Sequence, residues 1–250
     1  VKRRTLVFTV IAAVAAFLVV LVLYLPAGWF ASRLPPQVHC TEIGGTVWQG
    51  ECIGLKYQGT VLGDATWNLA PGRALTGRLS GDFELRGTAI TARADLDTSF
   101  SGVGELRNVK LGVALDPALL PQLPRDQRGT FNADLTRLEL VAGPAPRALQ
   151  GSIELRDLRQ VGARPMELGS YQVSFDGTTP PDGAPVGKLR DLGGPFMVEG
   201  TLKLTPPNAY FVQGFITGRT AAAESVVREI TLGAMPEASG RSPFSFEGTY

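Results

Sequence analysis

An uncharged apolar run from Thr5 to Leu25, preceded by Lys2, Arg3 and Arg4, constrains this chain more than any other feature. The run is 21 residues long and rich in Val, Leu and Ala, and about 20 helical residues cross the hydrocarbon core of a bilayer. Tyr24 and Trp29 stand where aromatic side chains favour the interface, and Pro26 stops the helix. The basic cluster predicts a cytoplasmic N-terminus by the positive-inside rule. In a Gram-negative cell everything after the run then faces the periplasm. A cleaved signal peptide is the rival reading, but its apolar core usually runs only about 7–15 residues. Trp29 and Phe30 also make Ala27-Gly28-Trp29-Phe30-Ala31 a poor cleavage site. The expected organisation is a basic tail at 1–4, a transmembrane helix at 5–25, a linker at 26–38 and a periplasmic β-rich domain at 39–250.

Export decides how the only two cysteines, Cys40 and Cys52, are read. In an oxidising compartment disulfides persist. Gly44-Gly45 between the cysteines is a turn signal, and a hairpin there brings the sulfurs together. A bridge closing a loop of this length contributes about 3 kcal/mol in the loop-entropy description. Two unpaired thiols, or a metal site shared with the sole histidine, His39, are the alternatives. The metal reading lacks the four-ligand spacing of a zinc site.

Beyond the cysteines, apolar and polar residues alternate. Arg78–Leu85, Gly129–Leu135, Gly151–Leu155, Tyr171–Phe175, Phe196–Leu204 and Tyr210–Ile216 all carry the period-two pattern of half-buried antiparallel strands. Asp176-Gly177, Asp182-Gly183, Gly193-Gly194 and Pro206-Pro207-Asn208 punctuate them as turns. The 30 glycines and 18 prolines therefore read as turns between strands, not as a disordered tract. Helical pattern is scarce. Asp116 to Pro121 predicts one short turn of helix, and Thr220 to Leu232, capped by Thr220 and stopped by Gly233, predicts a longer one. The fold class is mostly β, an antiparallel twisted sheet with one wet face and one or two short helices. Glycines recur at 81, 129, 151, 200 and 248, three of the four intervals being 48 or 49 residues. That spacing fits either a duplicated sheet unit or ordinary strand glycines.

Catalytic patterns are missing. There is no phosphate-cradling G-x-x-x-x-G-K and no G-x-S-x-G elbow. Asp95 and Asp97 share one strand face and read as a solvated pair. Trp48 and Trp67 lie in strand-like segments and read as packing residues. A net charge of +1 gives no electrostatic case for nucleic acid. The expectation is no enzyme, no cofactor and no metal.

Several segments, in order, resemble the type II secretion system protein N family. They are Gly45-Thr46-Val47-Trp48-Gln49-Gly50 after the apolar run, then Trp67-Asn68-Leu69-Ala70-Pro71 with Gly77-Arg78-Leu79 behind it. Later come Leu189-Arg190-Asp191-Leu192-Gly193-Gly194, Val198–Leu204, Gly240-Arg241 and Phe246-Glu247-Gly248. The motif positions singled out are Gly45, Thr46, Trp48, Gly50, Trp67 and Pro71. Pro207-Asn208-Ala209-Tyr210 departs from the pattern, as do the flanking cysteines. The resemblance implies an inner-membrane helix and a periplasmic domain in a machine that exports folded proteins across the outer membrane. It implies partners in the inner-membrane platform or the secretin, and no active site. A module of another class competes with this: a periplasmic lipid-handling sheet holding acyl chains on an apolar concave face.

Overall fold

The period-two pattern resolves into one antiparallel sheet in the computed structural model of the chain. The structure describes residues 2–29, 34–99, 103–117, 124–141, 146–162, 165–178, 184–230 and 240–249. After α1 (Lys2–Leu23) come β1 (Val38–His39), β2 (Glu42–Gly45), β3 (Gln49–Tyr57) and β4 (Thr60–Leu69). The one-turn α2 (Pro71–Ala74) leads to β5 (Arg78–Arg86), β6 (Ile90–Ser99), β7 (Val103–Leu115), β8 (Gln127–Val141) and β9 (Pro146–Gln160). The rest is β10 (Met166–Asp176), β11 (Val186–Asp191), β12 (Phe196–Thr205), β13 (Ala209–Gly218), α3 (Ala221–Ile230) and β14 (Ser242–Thr249).

These strands make a single 14-stranded sheet in which β3 to β14 follow one another in chain order. β1 and β2 both pair with β3, as two pieces of one edge strand broken at Cys40 and Thr41. A meander of this kind needs only short connections. Asp176 closes one of them by accepting hydrogen bonds from the Thr178 N–H and hydroxyl. The expected turn at Asp182-Gly183 and the Gly233 stop lie outside the described residues, as does most of the helical turn expected from Asp116 to Pro121.

One register row crosses the whole sheet. Ile43, Cys52, Ala65, Leu85, Ala92, Leu111 and Ala133 are successive partners from β2 to β8. Ile153, Val173, Leu189, Gly200, Gly214 and Phe244 continue it to β14. Every member is apolar. The adjacent row runs Glu51, Thr66, Glu84, Arg93, Lys110 and Asp134, then Ser152, Ser174, Lys188, Thr201, Gln213 and Ser245. Every member of that row is polar. Because successive side chains point to opposite faces, these rows give the sheet one apolar and one polar side, with Phe211 and Phe215 of β13 as apolar members of the polar side.

Bulges keep long strands in phase with this division. In β7 the extra residue falls at Asn108, with φ +51°, between Arg107 and Lys110 as partners of Asp95 and Arg93. Leu106 before the bulge and Val109 after it therefore both face the apolar side, although they are three residues apart. Asp157, with φ +52°, does the same in β9. Asn and Asp tolerate this left-handed backbone better than other non-glycine residues.

The apolar side carries three buried clusters. One centres on Cys52, Ala65 and Leu85, a second on Ala133, Leu135, Leu149 and Phe175, and a third on Phe196, Val198, Ala223 and Val227. α3 supplies Ala223 and Val227 to the third, and its first turn is capped as expected, the Ala223 N–H donating to the Thr220 hydroxyl at 3.2 Å. The recurring glycines lie inside strands. Gly200 faces Gly214, and a Cβ on either would come within 2.3 Å of the opposite backbone.

α1 differs from the rest. Its described side chains from Val7 to Leu23 are all exposed and, Thr9 apart, all apolar. The side chains of Lys2, Arg3 and Arg4 lie outside the described residues. Among the described residues, of which α1 contributes side chains only from Val7 onward, no helix is long and apolar enough to cross a membrane.

Candidate functional site

The last carbonyls of an α-helix have no partner within the helix. At the end of α1 they are met by the first hairpin. The Trp48 indole N–H donates to the Val22 carbonyl at 2.7 Å, and the Val47 N–H donates to the Leu25 carbonyl at 3.0 Å. Pro26 bridges to Thr46. Trp67 holds the same segment from the other side, its indole N–H donating to the Val47 carbonyl at 3.0 Å. Thr46 closes the turn, its N–H donating to the Gln49 carbonyl at 2.7 Å and its hydroxyl accepting from the Gln49 N–H at 3.1 Å.

Two glycines make the corner possible. Gly45 has φ +80°, a conformation that side chains disfavour. Gly50 is the register partner of Trp67, and a Cβ there would sit 2.5 Å from the indole ring. Pro71 opens α2 immediately after β4, at the first helical position where its missing N–H costs nothing. Five of the six motif residues, Gly45, Thr46, Trp48, Gly50 and Trp67, thus meet at one corner beside the end of α1, while Pro71 stands apart at the start of α2. Two local expectations need correction. The turn is at Thr46–Trp48, and Gly44-Gly45 belongs to β2. Trp48 lies in that turn and not in a strand, because its indole is spent on a helix carbonyl.

Cys40 and Cys52 are joined, with Cα atoms 5.5 Å apart. The bond ties the broken edge strand to β3 two rows from the clamp. Both thiols are used, His39 is exposed, and among the described residues no group of three His, Cys, Asp or Glu could hold a metal. Asp95 and Asp97 are also committed. Asp97 pairs with Arg78 at 2.9 Å, and Asp95 accepts from the Asn108 amide at 2.7 Å.

The two faces offer different chemistry. On the polar side a hollow of about 800 Å³ is lined by Glu84, Arg86, Arg93, Lys110, Asp134 and Glu154, among others. The tripeptide Glu-Leu-Arg recurs at 84–86, 105–107 and 154–156, and in each case the arginine bonds its own strand's glutamate. Hydrogen bonds from Arg86 and Arg107 hold the Glu84 and Glu105 carboxyls below the usual carboxylate range. The repeated tripeptide is a signal in the sequence that the strand-by-strand reading passed over.

On the apolar side, Leu202 and Leu204 of β12 pack against the cluster built on β8, β9 and β10, so the face is concave there. A groove of about 490 Å³ runs from Phe131 and Leu155 across to Val212 and Phe246. Its one polar side chain is Tyr171, whose hydroxyl donates to the Leu168 carbonyl. Burial, with Asp191 nearby, pushes the Tyr171 hydroxyl up to about 12.

What these parts define is a two-faced sheet subunit held at the end of an apolar helix. The sequence profile of "Type II secretion system (T2SS), protein N" matches residues 36–245, and the chain belongs to that family. It is 27% identical to the type II secretion system protein N of Vibrio cholerae serotype O1 over 252 aligned positions, covering 91% of this chain and 92% of the relative. No solved structure matches the chain.

Proposed function

We propose that this protein is an accessory structural subunit of the type II secretion system. In this reading α1 spans the inner membrane, Lys2, Arg3 and Arg4 remain in the cytoplasm, and the sheet stands in the periplasm beside the export apparatus. The observation that carries it is the family match over residues 36–245. Support for the anchor comes from the uncharged run Thr5 to Leu25 and from the exposure of α1, since an apolar helix bare to solvent on every side needs lipid around it.

The clamp gives the anchor a mechanical meaning. With Trp48 and Val47 bonded to the end of α1, the sheet is held in a set stance instead of swinging on a linker. Docking then falls to the free edge of β14 and to the charged polar face. An unpaired strand edge accepts an added strand through its main-chain groups.

The test is co-purification. Full-length tagged protein, extracted with mild detergent from cells expressing the secretion genes, should bring down platform or secretin subunits. Trp48→Phe keeps the ring and removes the donor, and it should lower that yield while the sheet remains folded. Recovery as a lone protein under the same extraction would overturn the proposal.

A further inference from the structure

We infer that the groove between β8 and β14 binds a single acyl chain of a membrane lipid. Four observations carry this. The groove wall is hydrocarbon, and its one hydroxyl, on Tyr171, is already bonded to Leu168. Its volume of about 490 Å³ lies within the range of small-ligand sites, about 300–1,000 Å³. Two of its apolar side chains stay in water, Ile230 of α3 at 55% exposure and Phe246 of β14 at 54%. Among the described residues the groove is therefore open along one side.

The fourth observation concerns what can fill it. An extended peptide would bring backbone N–H and C=O groups to a wall with no spare partner, and each unpaired group is costly to bury. An acyl chain carries no such groups and gains free energy from every methylene it buries. This step rests on the function proposed above, in which α1, whose apolar side chains are bare throughout their described length, tethers the polypeptide to the membrane. Lipid is thus the apolar material the tether sets beside the groove. With no polar group free to fix orientation or length, the groove selects for hydrocarbon and not for a headgroup.

The experiment uses the full chain in phospholipid nanodiscs that contain a phosphatidylethanolamine with a clickable palmitoyl tail. A photoreactive phenylalanine analogue is placed at Phe246, or at Lys110 on the polar face as a control. Cross-linking to lipid at 246, absent at 110 and displaced by excess palmitate, is the expected result. Val212→Glu in the 246-labelled protein should lower the cross-link roughly tenfold or more by placing a carboxyl in the groove. Because Val212→Glu is a folding risk, Ile230→Glu at an exposed groove residue serves as the second variant and should also lower it. An unchanged cross-link in a folded Ile230→Glu variant would overturn the assignment. Equal labelling at 246 and 110, no lipid product at 246, or cross-linking to a protein there would do the same.

Discussion

The two ends of the sheet are finished in opposite ways. At the amino end the edge strand is cut into β1 and β2, bridged to β3 by Cys40–Cys52 and bonded through Trp48 to α1. Its apolar row sets the small residues Cys52, Ala65 and Ala92 among Ile43 and Leu85. At the carboxyl end β14 runs unbroken from Ser242 to Thr249, and its Phe246 is largely exposed. There the row widens to Ile153, Val173 and Leu189, which line the groove, then falls to Gly200 and Gly214. Short edge strands with covalent ties are blunted against pairing, whereas a long free edge invites it. The difference is one of restraint within one sheet: the first strands are tied to each other and to the end of α1, and among the described residues the last strand is paired on one side only.

That difference can be broken by experiment, because strands in a meander touch mainly their neighbours and unfolding can remain local. The largest effect is expected from Phe196→Ala. Phe196 is 4% exposed and anchors the cluster beneath α3. Its truncation should cost about 3–5 kcal/mol. Hydrogen exchange should show β11 to β14 losing protection while β2 to β4 keep theirs; equal loss at both ends would mean that the sheet melts as one unit. Next comes reduction of Cys40–Cys52, or its replacement by serines, at about 3 kcal/mol. The mirror pattern is expected, with β1 to β4 loosening under reductant and β11 to β14 unchanged in the same exchange measurement.

How far the sequence revealed these ends differs for physical reasons. The faces were legible because side-chain direction in a strand depends only on the period of two, so Phe83 and Leu85 or Phe131 and Leu135 could be placed without tertiary knowledge. α3 was legible from Thr220 and the stripe of Val226, Val227 and Ile230. The disulfide was the favoured reading, from the expected export and the short spacing, over unpaired thiols or a metal site, and the bond is formed. The bulges at Asn108 and Asp157 were not legible, since the phase slip each leaves, such as Leu106 to Val109, reads equally as the end of one strand and the start of another. Nor was the part played by Trp48, whose acceptor is the main-chain carbonyl of Val22, 26 residues away. A carbonyl is present on every residue, so no pattern advertises it. The groove depends on strands that meet across the face, such as β8 with β12, and that meeting is set by curvature.

The smallest effect expected is a pH dependence at the carboxyl end. Asp191 accepts hydrogen bonds from Arg219 at 2.7 Å, from the Gly193 N–H at 3.1 Å and from the Val198 N–H at 3.2 Å. Burial pushes its carboxyl up, but the Arg219 and backbone donors outweigh burial and leave it below the ordinary carboxylate value. A depressed folded-state value adds stability above the unfolded-state value, and that stability is lost as pH falls through the folded one. Acidification below the ordinary carboxylate range should therefore loosen the β11–β12 turn before the disulfide-tied strands respond. Tyr171, raised to about 12, works in the opposite sense. Its stabilisation is complete below its unfolded-state value of about 10 and is lost as pH rises through about 12. Exchange measured along an acid series should show protection at Val198 falling first, and Asp191→Asn should remove that step. An acid response that starts at β2 to β4, or one that survives Asp191→Asn, would show that the weaker end of the sheet is not where the open groove is.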